Sequence, residues 1–571
     1  MFDIIVKNGT LVDGTGAPRR RADIALLDGR VAAIDATIDA DAREVVDATG
    51  RIVTPGFVDP HSHFDGQVTW DPELGPTSWH GVTTTVMGNC GVGFAPIRPG
   101  TEPYLIQLME GVEDIPGTAL YEGITWGWES FPEYLDVVAS MRRSIDVAAS
   151  MPHGSLRFYV MGHRSVTQSV ADTADVATMG RLSREAIEAG ALAVSTNRLA
   201  SHRAKDGTPV PGTFADEHEL RALVCALRDA GSGLLQVTGA LAMGHELDTA
   251  FDELDMYARL SVESGRPVLF SLTEVNQSPD FWRRALEHVE KCNGAGAQLV
   301  VQTHGRPTGL VVGWDTFNPF AGRPTYDGLA HLPVVERVAQ LRAAATRAAV
   351  LAEGNAPTAT GRMTILTKLW AYVFPMVHGP TFEPTADESV AARATAAGVD
   401  PETMLYDLMC DYPLQLSLGG YRKHDLSSIH DLMSHPDAML GLADGGAHCS
   451  IICDSSMPSF LLEHWVRDRT RGPRIGLETA VRMLTSRPAE VYGLADRGVL
   501  EVGKRADLNV IDLEGMHLHL PEVRFDLPTG AKRVVQRADG YDLTVCAGVV
   551  TFRSGSATGA RPGTLIRGPQ A

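Results

Sequence analysis

The hydrophobic and polar positions change their period along the chain. Residues 3–34 form short runs that alternate between apolar and polar side chains, and Asp28-Gly29 separates two of these runs. A period of two predicts strands, and Asp-Gly between two such runs predicts a tight hairpin. A similar pattern returns at residues 506–512 and 543–552. We therefore expect strands from both termini to form one small β-sandwich.

Between about residue 51 and residue 490, short apolar or β-branched runs alternate with segments of helical period. Helices are predicted at residues 179–188, 217–229, 246–264 and 281–292. Strands are predicted at residues 51–58, 83–87, 155–161, 191–195, 233–237, 267–272, 298–302 and 439–442. Eight strands with helices between them match the strand count of a (β/α)8 barrel of the TIM type. The predicted fold class is therefore α/β, with this barrel as the main unit.

The predicted domain organisation is discontinuous. Residues 1–50 and 495–571 form the β-sandwich domain, and residues 51–494 form the barrel. Residues 305–435 are too many for one loop, because structureless connections rarely exceed about 15 residues. We expect this segment to be a long insertion before the last barrel strand. This insertion is either a lid over the barrel mouth or an appendage that packs against the barrel, and we favour the lid.

The composition narrows the class of partner. The chain has 571 residues, 44% of them hydrophobic, and 50 Lys and Arg against 70 Asp and Glu give a net charge of −20. An acidic surface argues against nucleic acid and anionic membrane as main partners. Residues 1–9 have the pattern of a strand and not that of a signal peptide, and no apolar run is long enough to span a bilayer. We expect a small-molecule substrate, and a homo-oligomer is left open.

The cysteines indicate a reducing compartment. There are seven of them, an odd number scattered along a long chain. This usage is typical of reduced thiols, so we expect a cytoplasmic protein without a disulfide framework.

Two histidines follow the first predicted barrel strand. In Asp59-Pro60-His61-Ser62-His63 the imidazoles are two residues apart, and residues at that spacing on a strand share one face. Two neutral imidazoles can hold one transition-metal ion, and barrel enzymes keep their chemistry at the carboxyl ends of the strands. A pair of loop histidines is the alternative, but the position at a strand end favours a metal site.

Two other strand ends carry candidate ligands. Cys90 follows the second strand, where a thiolate can bind a metal, although an inert buried thiol is the commoner fate of a free cysteine. Asp444 follows the last strand, where a carboxylate can bind the metal, take a proton from metal-activated water and pass it to the leaving group. A turn aspartate before Gly445-Gly446 is the alternative.

Polar residues near other strand ends are candidate substrate or outer contacts. Arg306 or Arg203 could pair with a substrate carboxylate through two hydrogen bonds, and His448 could polarise a substrate carbonyl. Each such residue is by itself more often an ordinary loop residue. The candidates of this kind are His202, Gln236, Glu274, Arg306 and His448.

With these residues in place, the chain resembles the amidohydrolase superfamily, in its D-aminoacylase (N-acyl-D-amino-acid deacylase) branch. The resemblance runs nearly end to end and is carried by residues 6–14, 55–59, 81–91, 485–490, 498–508 and 558–563. It implies a barrel with a small β-sandwich, a zinc-type centre and hydrolysis of an amide. Carried over by position, His61, His63 and Cys90 would be metal ligands, and Asp444 would be a ligand and the general base.

The chain departs from this branch at the fifth and sixth barrel strands. In the better-known deacylases these strands end in histidines that complete a metal site with the cysteine. Here residues 234–239 and 270–274 contain no histidine. The simplest remaining centre is one ion on His61, His63 and Asp444 with Cys90 nearby, and Gln236 or Glu274 are alternative ligands. The resemblance implies a divalent ion, with zinc expected, and one ion or two stays open.

Three functions are considered, in descending order. The first is a metal-dependent hydrolase of an amide C–N bond, similar to the N-acyl-amino-acid deacylases. The second is a cyclic amide, carbamate or lactone hydrolase on the same barrel. The third is a non-catalytic scaffold that has lost its metal site. The altered fifth and sixth strands motivate the second and third, whereas the retained candidate ligands argue against the third.

Overall fold

The computed structural model describes residues 1–570 except 168, 240, 242–248, 276–277, 279, 355–368, 378 and 380–381. Its centre is a sheet of eight parallel strands that neighbour one another in chain order. These barrel strands, here β1 to β8, are Phe57–Asp59, Val82–Met87, Asp146–Pro152, Ala193–Asn197, Leu234–Thr238, Val268–Ser271, Leu299–Thr303 and Ala438–Leu440.

A contact just beyond the strand ends links the first strand to the last. Ser62 and Gly445 form a parallel bridge, and the backbone N–H of His63 donates to the carbonyl of Gly445 at 2.7 Å. This contact curls the sheet into the predicted (β/α)8 barrel, which is therefore confirmed. It also places the segment after β1, with His61 and His63, beside the segment after β8, with Asp444.

Helices lie between the strands, and local sequence explains their ends. The helix Thr173–Ala189 begins at a capping box formed by Asp172 and Asp175 and ends at Gly190 in the left-handed conformation. Predicted helices 179–188, 217–229 and 281–292 lie within observed helices, whereas residues 246–248 of the fourth lie outside the described residues. The main helices are Glu102–Glu113, Phe131–Ser140, His153–Met161, Thr173–Ala189, Glu217–Ala230, Ala250–Ser264, Phe281–Gly294, Ser427–Met433, Leu477–Leu484 and Ser486–Val491.

The predicted third strand, at residues 155–161, is wrong. These residues belong to the helix His153–Met161, and β3 is the preceding segment Asp146–Pro152. A short apolar run has the same composition in a buried strand and in a buried helix, so its period alone does not separate them. The true strand has small side chains, such as Ala148 and Ala149, and gives a weak strand signal.

Strands from both termini share one sheet. Ile52–Pro55 pairs antiparallel with Leu508–Ile511, which joins the N-terminal and C-terminal strands as predicted. The Asp28-Gly29 hairpin is also confirmed, because both residues have the positive φ that a tight turn of this kind requires. The strands of this sheet are Phe2–Leu11, Arg20–Leu27, Arg30–Asp35, Ala42–Asp47, Ile52–Pro55, Leu508–Ile511, Tyr541–Cys546, Val549–Arg553 and Ser556–Ala557. The domain limits themselves stay a prediction.

The segment between β7 and β8 has secondary structure of its own. Thr308–Val312, Val373–Pro375 and Leu414–Gly419 form an antiparallel sheet. Its apolar core includes Trp314, Phe320 and Tyr406. Its longer helices are Val334–Leu341, Ala344–Ala352, Val390–Ala397 and Pro401–Asp411. The insertion is thus a packed unit, and its role as a lid over the barrel mouth stays a prediction.

The cysteine side chains carry no disulfide within the described chain, since all seven are free thiols. A search of the described helices finds none whose length and apolar character would let it cross a membrane.

Candidate metal centre

The two histidines after β1 point their Nε2 atoms toward one point at the barrel mouth. Both side chains are 1% exposed, and their rings meet edge to face with centroids 5.4 Å apart. The Sγ atom of Cys90 lies 3.5 Å from Nε2 of His61 and 4.0 Å from Nε2 of His63. The segments after β1 and β2 therefore bring two imidazoles and a thiol together.

Asp444 completes this group from the segment after β8, which contacts the segment after β1. Its Oδ1 atom lies 3.4 Å from Nε2 of His61 and 3.8 Å from Nε2 of His63. The Asp444 backbone has a φ of 49°, in the left-handed region that is uncommon for a residue other than glycine. Uncommon backbone of this kind often accompanies functional sites. Sequence reasoning and structure thus place the same four side chains at one point.

Each imidazole has a polar neighbour at its Nδ1 atom. Nδ1 of His61 lies 2.8 Å from Oε1 of Gln302, at the end of β7. Nδ1 of His63 lies 3.5 Å from a carboxylate oxygen of Glu113, at the end of the helix Glu102–Glu113. A hydrogen bond from Nδ1–H to such an acceptor leaves the Nε2 lone pair free for a metal ion. Gln302 therefore orients the ring of His61, whereas Nδ1 of His63 and Oε1 of Glu113 lie near each other without a hydrogen bond.

The turn that carries Cys90 is fixed by its neighbours. Gly88 has a φ of 83°, and a Cβ atom there would lie 2.2 Å from the carbonyl oxygen of Ser150. The amide of Cys90 donates to Oε1 of Gln236 at 3.1 Å, and the hydroxyl of Thr238 donates to its Sγ at 3.2 Å. The end of β5 thus supports the thiol through Gln236 and Thr238.

Burial sets the protonation of these groups. It lowers the pKa of His61 and lowers the pKa of His63 well below the usual range, so both imidazoles are neutral at pH 7, the form that binds metals. Burial, together with the charges of Glu113 and Asp444, raises the pKa of the Cys90 thiol well above its usual range. A thiolate at this position therefore needs a nearby cation.

The separations between the four donor atoms fit a single ion. Bonds of 2.0–2.3 Å in a tetrahedral arrangement place neighbouring N, O and S donors about 3.3–3.6 Å apart. The distances from His61 to Cys90 and to Asp444 are 3.5 and 3.4 Å. His61, His63 and Cys90 are also one of the two groups of side chains in the described structure whose donor atoms lie close enough to share an ion. Two imidazoles, a thiol and a carboxylate are a donor set that suits zinc.

A cavity of about 320 Å³ opens on this group. His202 and His448 line it, together with Thr238, Ser271 and Thr273 at the ends of β5 and β6. Burial lowers the pKa of His202 to about 3, so this imidazole is neutral at pH 7. His448 contacts Glu113, with Nε2 and a carboxylate oxygen 3.7 Å apart. Two of the five predicted contact residues therefore line the cavity.

The other three predicted contact residues do not line the cavity. Gln236 is engaged with the Cys90 turn. Glu274 accepts hydrogen bonds from the backbone of Arg422 and the hydroxyl of Ser428, at 3.2 and 3.0 Å. Arg306 donates to the Ser456 hydroxyl at 2.7 Å. The side-chain oxygens of Gln236 and Glu274 are thus engaged by other groups, and the functional roles of all three residues stay predictions.

Sequence reasoning missed three side chains beside the four donors. Gln302 closes a predicted strand and could have been found by its strand-end position. Thr238 follows Gln236 by two residues on β5, but a threonine in a strand gives no functional signal by itself. Glu113 belongs to a helix between β2 and β3, and only the tertiary fold brings it to the site.

Most of the chain matches one protein family. The pattern of the Amidohydrolase family matches residues 44–552. D-aminoacylase from Alcaligenes xylosoxydans xylosoxydans is 27% identical over 99% of this chain and 97% of its own length. N-acyl-D-glutamate deacylase from the same organism is 26% identical over 99% of this chain and 96% of its own length.

A solved structure agrees with this fold. It is N-acyl-D-glutamate deacylase from Bordetella bronchiseptica, complexed with zinc and a phosphonate inhibitor. The two structures superpose with a TM-score of 0.65 at 24% identity, covering 99% of each chain. At this identity the similarity establishes a shared fold.

Proposed function

The chain belongs to the amidohydrolase family and is a hydrolase of carbon–nitrogen bonds other than peptide bonds, and we propose that it cleaves an amide of a small molecule at a centre formed by His61, His63, Cys90 and Asp444. The observation that carries this proposal is the convergence of the four donor atoms at the mouth of the barrel, with separations of 3.4–4.0 Å. The reaction resembles that of the N-acyl-amino-acid deacylases, because an acyl–nitrogen bond is broken by water.

The four side chains have separate tasks. His61 and His63 would hold a divalent ion through Nε2, with Cys90 and Asp444 as the remaining donors. We propose that the ion is zinc, because the donor set suits zinc and because the similar deacylase was solved in complex with zinc. When bound, the ion supplies Lewis acidity, which lowers the pKa of water and polarises a carbonyl group.

Asp444 is the proposed proton carrier. Its carboxylate is 24% exposed and faces the cavity, whereas the neighbouring imidazoles are almost fully buried. A carboxylate in this position can accept the proton of the attacking water and deliver it to the leaving nitrogen. His448 and His202 line the same cavity and could hydrogen-bond to the substrate carbonyl.

A second candidate reaction uses the same groups on a cyclic amide, carbamate or lactone. The observation that favours it is that the ends of β5 and β6 carry no histidine, and that the hydroxyl residues Thr238 and Thr273 line the cavity there. A changed donor set at these two strand ends changes the space around the scissile bond. Family membership and the convergence of the four donors favour either enzyme over a non-catalytic scaffold.

The test combines metal analysis with turnover. We expect purified protein to retain about one divalent ion, and the His61→Asn variant to lose it. The Asp444→Asn variant should keep its fold and lose about 10²–10⁴-fold in kcat, the usual contribution of a positioned acid–base group. Asp437→Asn, at the other end of β8, is the matched control and should keep full activity. Full activity in both site variants would overturn the proposed centre.

Turnover is measured by release of amine or acid from a panel of N-acyl amines, cyclic amides, carbamates and lactones. Cleavage of the N-acyl compounds supports the first reaction. Cleavage confined to the cyclic compounds or lactones selects the second reaction instead.

A further inference from the structure

We propose that Ile451 limits the length of the substrate group that the cavity beside the four donors accepts, because its side chain separates this inner cavity from a larger outer one. This inference rests on the proposed amide hydrolysis and names its substrate class. The substrate is an amide with a short group next to the scissile bond.

The outer cavity shares one wall residue with the inner cavity. Its volume is about 1040 Å³, compared with about 320 Å³ for the inner cavity. The insertion forms most of its wall, including Trp314, Phe317 and Val334, and Phe525 contributes from the strand Glu522–Leu527. A chain that passed from the inner into the outer cavity would therefore meet further apolar surface.

Ile451 is the shared residue. Among the described lining residues, it alone occurs in both walls. It lies in the segment after β8, downstream of Asp444, and packs half-buried against the apolar core of the insertion. An aliphatic side chain at this place fills the space through which the two cavities would otherwise join.

Hydrogen bonds hold the Ile451 segment without using the Ile451 side chain. The amide of Val311, in the insertion, donates to the carbonyl of Ile451 at 2.7 Å, and the amide of Ile451 donates to the carbonyl of His448 at 2.9 Å. The Ser450 hydroxyl donates to the carboxylate of Asp114. A shorter side chain at position 451 therefore opens the partition and leaves the bonds that hold the segment in place.

This arrangement predicts how affinity depends on chain length. Each methylene that moves from water to an apolar wall improves binding about fourfold, and the gain stops where the wall ends. The affinity of the wild type for a homologous series should therefore rise with chain length and then level off at Ile451. When this side chain is shortened, the chain enters the outer cavity and the rise continues.

The experiment measures the length limit with straight-chain hydroxamic acids, from acetohydroxamic to dodecanohydroxamic acid. Their head group binds a divalent ion, and their alkyl chain must occupy the rest of the inner cavity. Dissociation constants are measured calorimetrically on the zinc-loaded full-length chain. We expect the affinity of Ile451→Ala to rise beyond the wild-type limit. Ile451→Val, a milder variant, should shift the limit in the same direction.

Leu310→Ala is the matched control. Leu310 has as many carbon atoms as Ile451 and is also half-buried, and it lines the inner cavity but is not among the described lining residues of the outer one. Its truncation adds space without joining the cavities, so its affinity should level off within about two methylenes of the wild-type limit. Ile451→Ala should bind decanohydroxamic acid at least about 10-fold more tightly than Leu310→Ala does.

Photolabelling locates the end of the chain. Decanohydroxamic acid with a terminal diazirine is irradiated with each zinc-loaded variant, and the labelled peptides are identified by mass spectrometry. We expect labels on the outer wall, at Val334 or Phe525, in Ile451→Ala and not in Leu310→Ala.

The outcomes separate this inference from the proposed function. The same length limit in Ile451→Ala and Leu310→Ala, or labels in Ile451→Ala outside the outer cavity, overturns the inference even if the wild type hydrolyses amides. A longer limit in Ile451→Ala supports the inference even if no amide is hydrolysed, a result that counts against the proposed function alone. Failure of every hydroxamic acid to bind the zinc-loaded wild type overturns both.

Discussion

Oε1 of Gln302 lies 2.8 Å from Nδ1 of His61, at the end of the seventh barrel strand. Both side chains are buried, so solvent does not compete for this hydrogen bond. The amide oxygen can only accept, so the proton of His61 must sit on Nδ1 when this bond forms. The relationship fixes both the ring orientation and the tautomer that presents Nε2 to Cys90 and Asp444.

Replacement of Gln302 should therefore weaken metal binding without removing a ligand. Gln302→Met keeps the size of the side chain but loses the acceptor, and we expect about 10–100-fold weaker zinc binding. Gln302→Glu keeps an acceptor at the same position and should bind zinc at least as tightly as the wild type. Competition against a chromophoric chelator measures both. Equal zinc affinity in the methionine variant and the wild type would contradict the orienting role.

The barrel was predictable from the sequence because its signal is periodic. Seven of the eight predicted strands overlap observed barrel strands, since apolar runs such as 298–302 alternate with long amphipathic helices. β3 was missed because its side chains are small and the apolar run lies in the helix His153–Met161 that follows. Local composition therefore gave a wrong prediction for this buried strand, because its side chains are small.

The candidate site was predictable only where a strand end carries the side chain. His61, Cys90 and Asp444 each follow a barrel strand directly, so chain position and chemistry agree. Glu113 stands beside His63 because a helix ends there, which no local pattern indicates. Glu274, by contrast, is near a strand end but turns toward Ser428 of the insertion. Tertiary packing decides such cases.

Cys90 should be the thiolate ligand of a bound ion. Cobalt(II) is a spectroscopic substitute for zinc, and a thiolate ligand gives it an ultraviolet charge-transfer band. We expect Cys90→Ser to lose this band and to bind the metal at least 10-fold more weakly, because its hydroxyl is a poor ligand for a soft site.

The control for this experiment lies on the protein surface. Cys292 forms a second group with Asp255 and His288, whose donor atoms are also close enough to share an ion. Cys292→Ser should keep the charge-transfer band of the barrel site. A band that persists in Cys90→Ser and disappears in Cys292→Ser would place the thiolate ligand on the surface and refute the role of Cys90.

A buried ion pair beside β3 should make stability depend on pH. Glu219 is 2% exposed and accepts hydrogen bonds from Nε2 of His153 at 2.9 Å and Nε of Arg157 at 2.7 Å. Burial by itself raises the pKa of Glu219, but the contacts with His153 and Arg157 outweigh it and lower the pKa to about 2. The unfolded carboxyl has its usual pKa of about 4.3, so the folded state favours the charged form.

The sign of the effect follows from this difference. The stabilisation is complete above about pH 4.3 and is lost as the pH falls toward about 2, because the folded protein must then bind a proton it disfavours. Glu219→Gln should lose about 3 kcal/mol of unfolding free energy at pH 7, since Arg157 is left buried without its partner. Urea unfolding at pH 7 and pH 3 should show this difference shrinking at the lower pH.

The matched control is an exposed pair on a nearby helix. Glu185 contacts Arg181 four residues earlier, and the two side chains are 46% and 59% exposed. Glu185→Gln should change the unfolding free energy by less than about 1 kcal/mol at either pH. A loss in Glu219→Gln that is no larger than in Glu185→Gln would show that the buried pair does not stabilise the fold.

Gly88 should be required for the turn that carries Cys90. Gly88 and Gly50 have similar positive φ values of 83° and 76°, so an alanine at either position is strained by the backbone. Only at Gly88 does the added Cβ meet an obstacle, the carbonyl oxygen of Ser150 at 2.2 Å, whereas nothing lies within 4 Å of that atom at Gly50.

The two substitutions therefore separate backbone strain from steric exclusion. Gly50→Ala should lower the unfolding free energy by about 1 kcal/mol and leave zinc binding unchanged. Gly88→Ala must in addition move the strand end away from Ser150, so it should lower the unfolding free energy further and weaken zinc binding at least 10-fold by displacing Cys90. Chemical denaturation and chelator competition on both variants provide the measurements. Equal effects of the two substitutions would mean that the turn adapts freely and that Gly88 does not position the thiol.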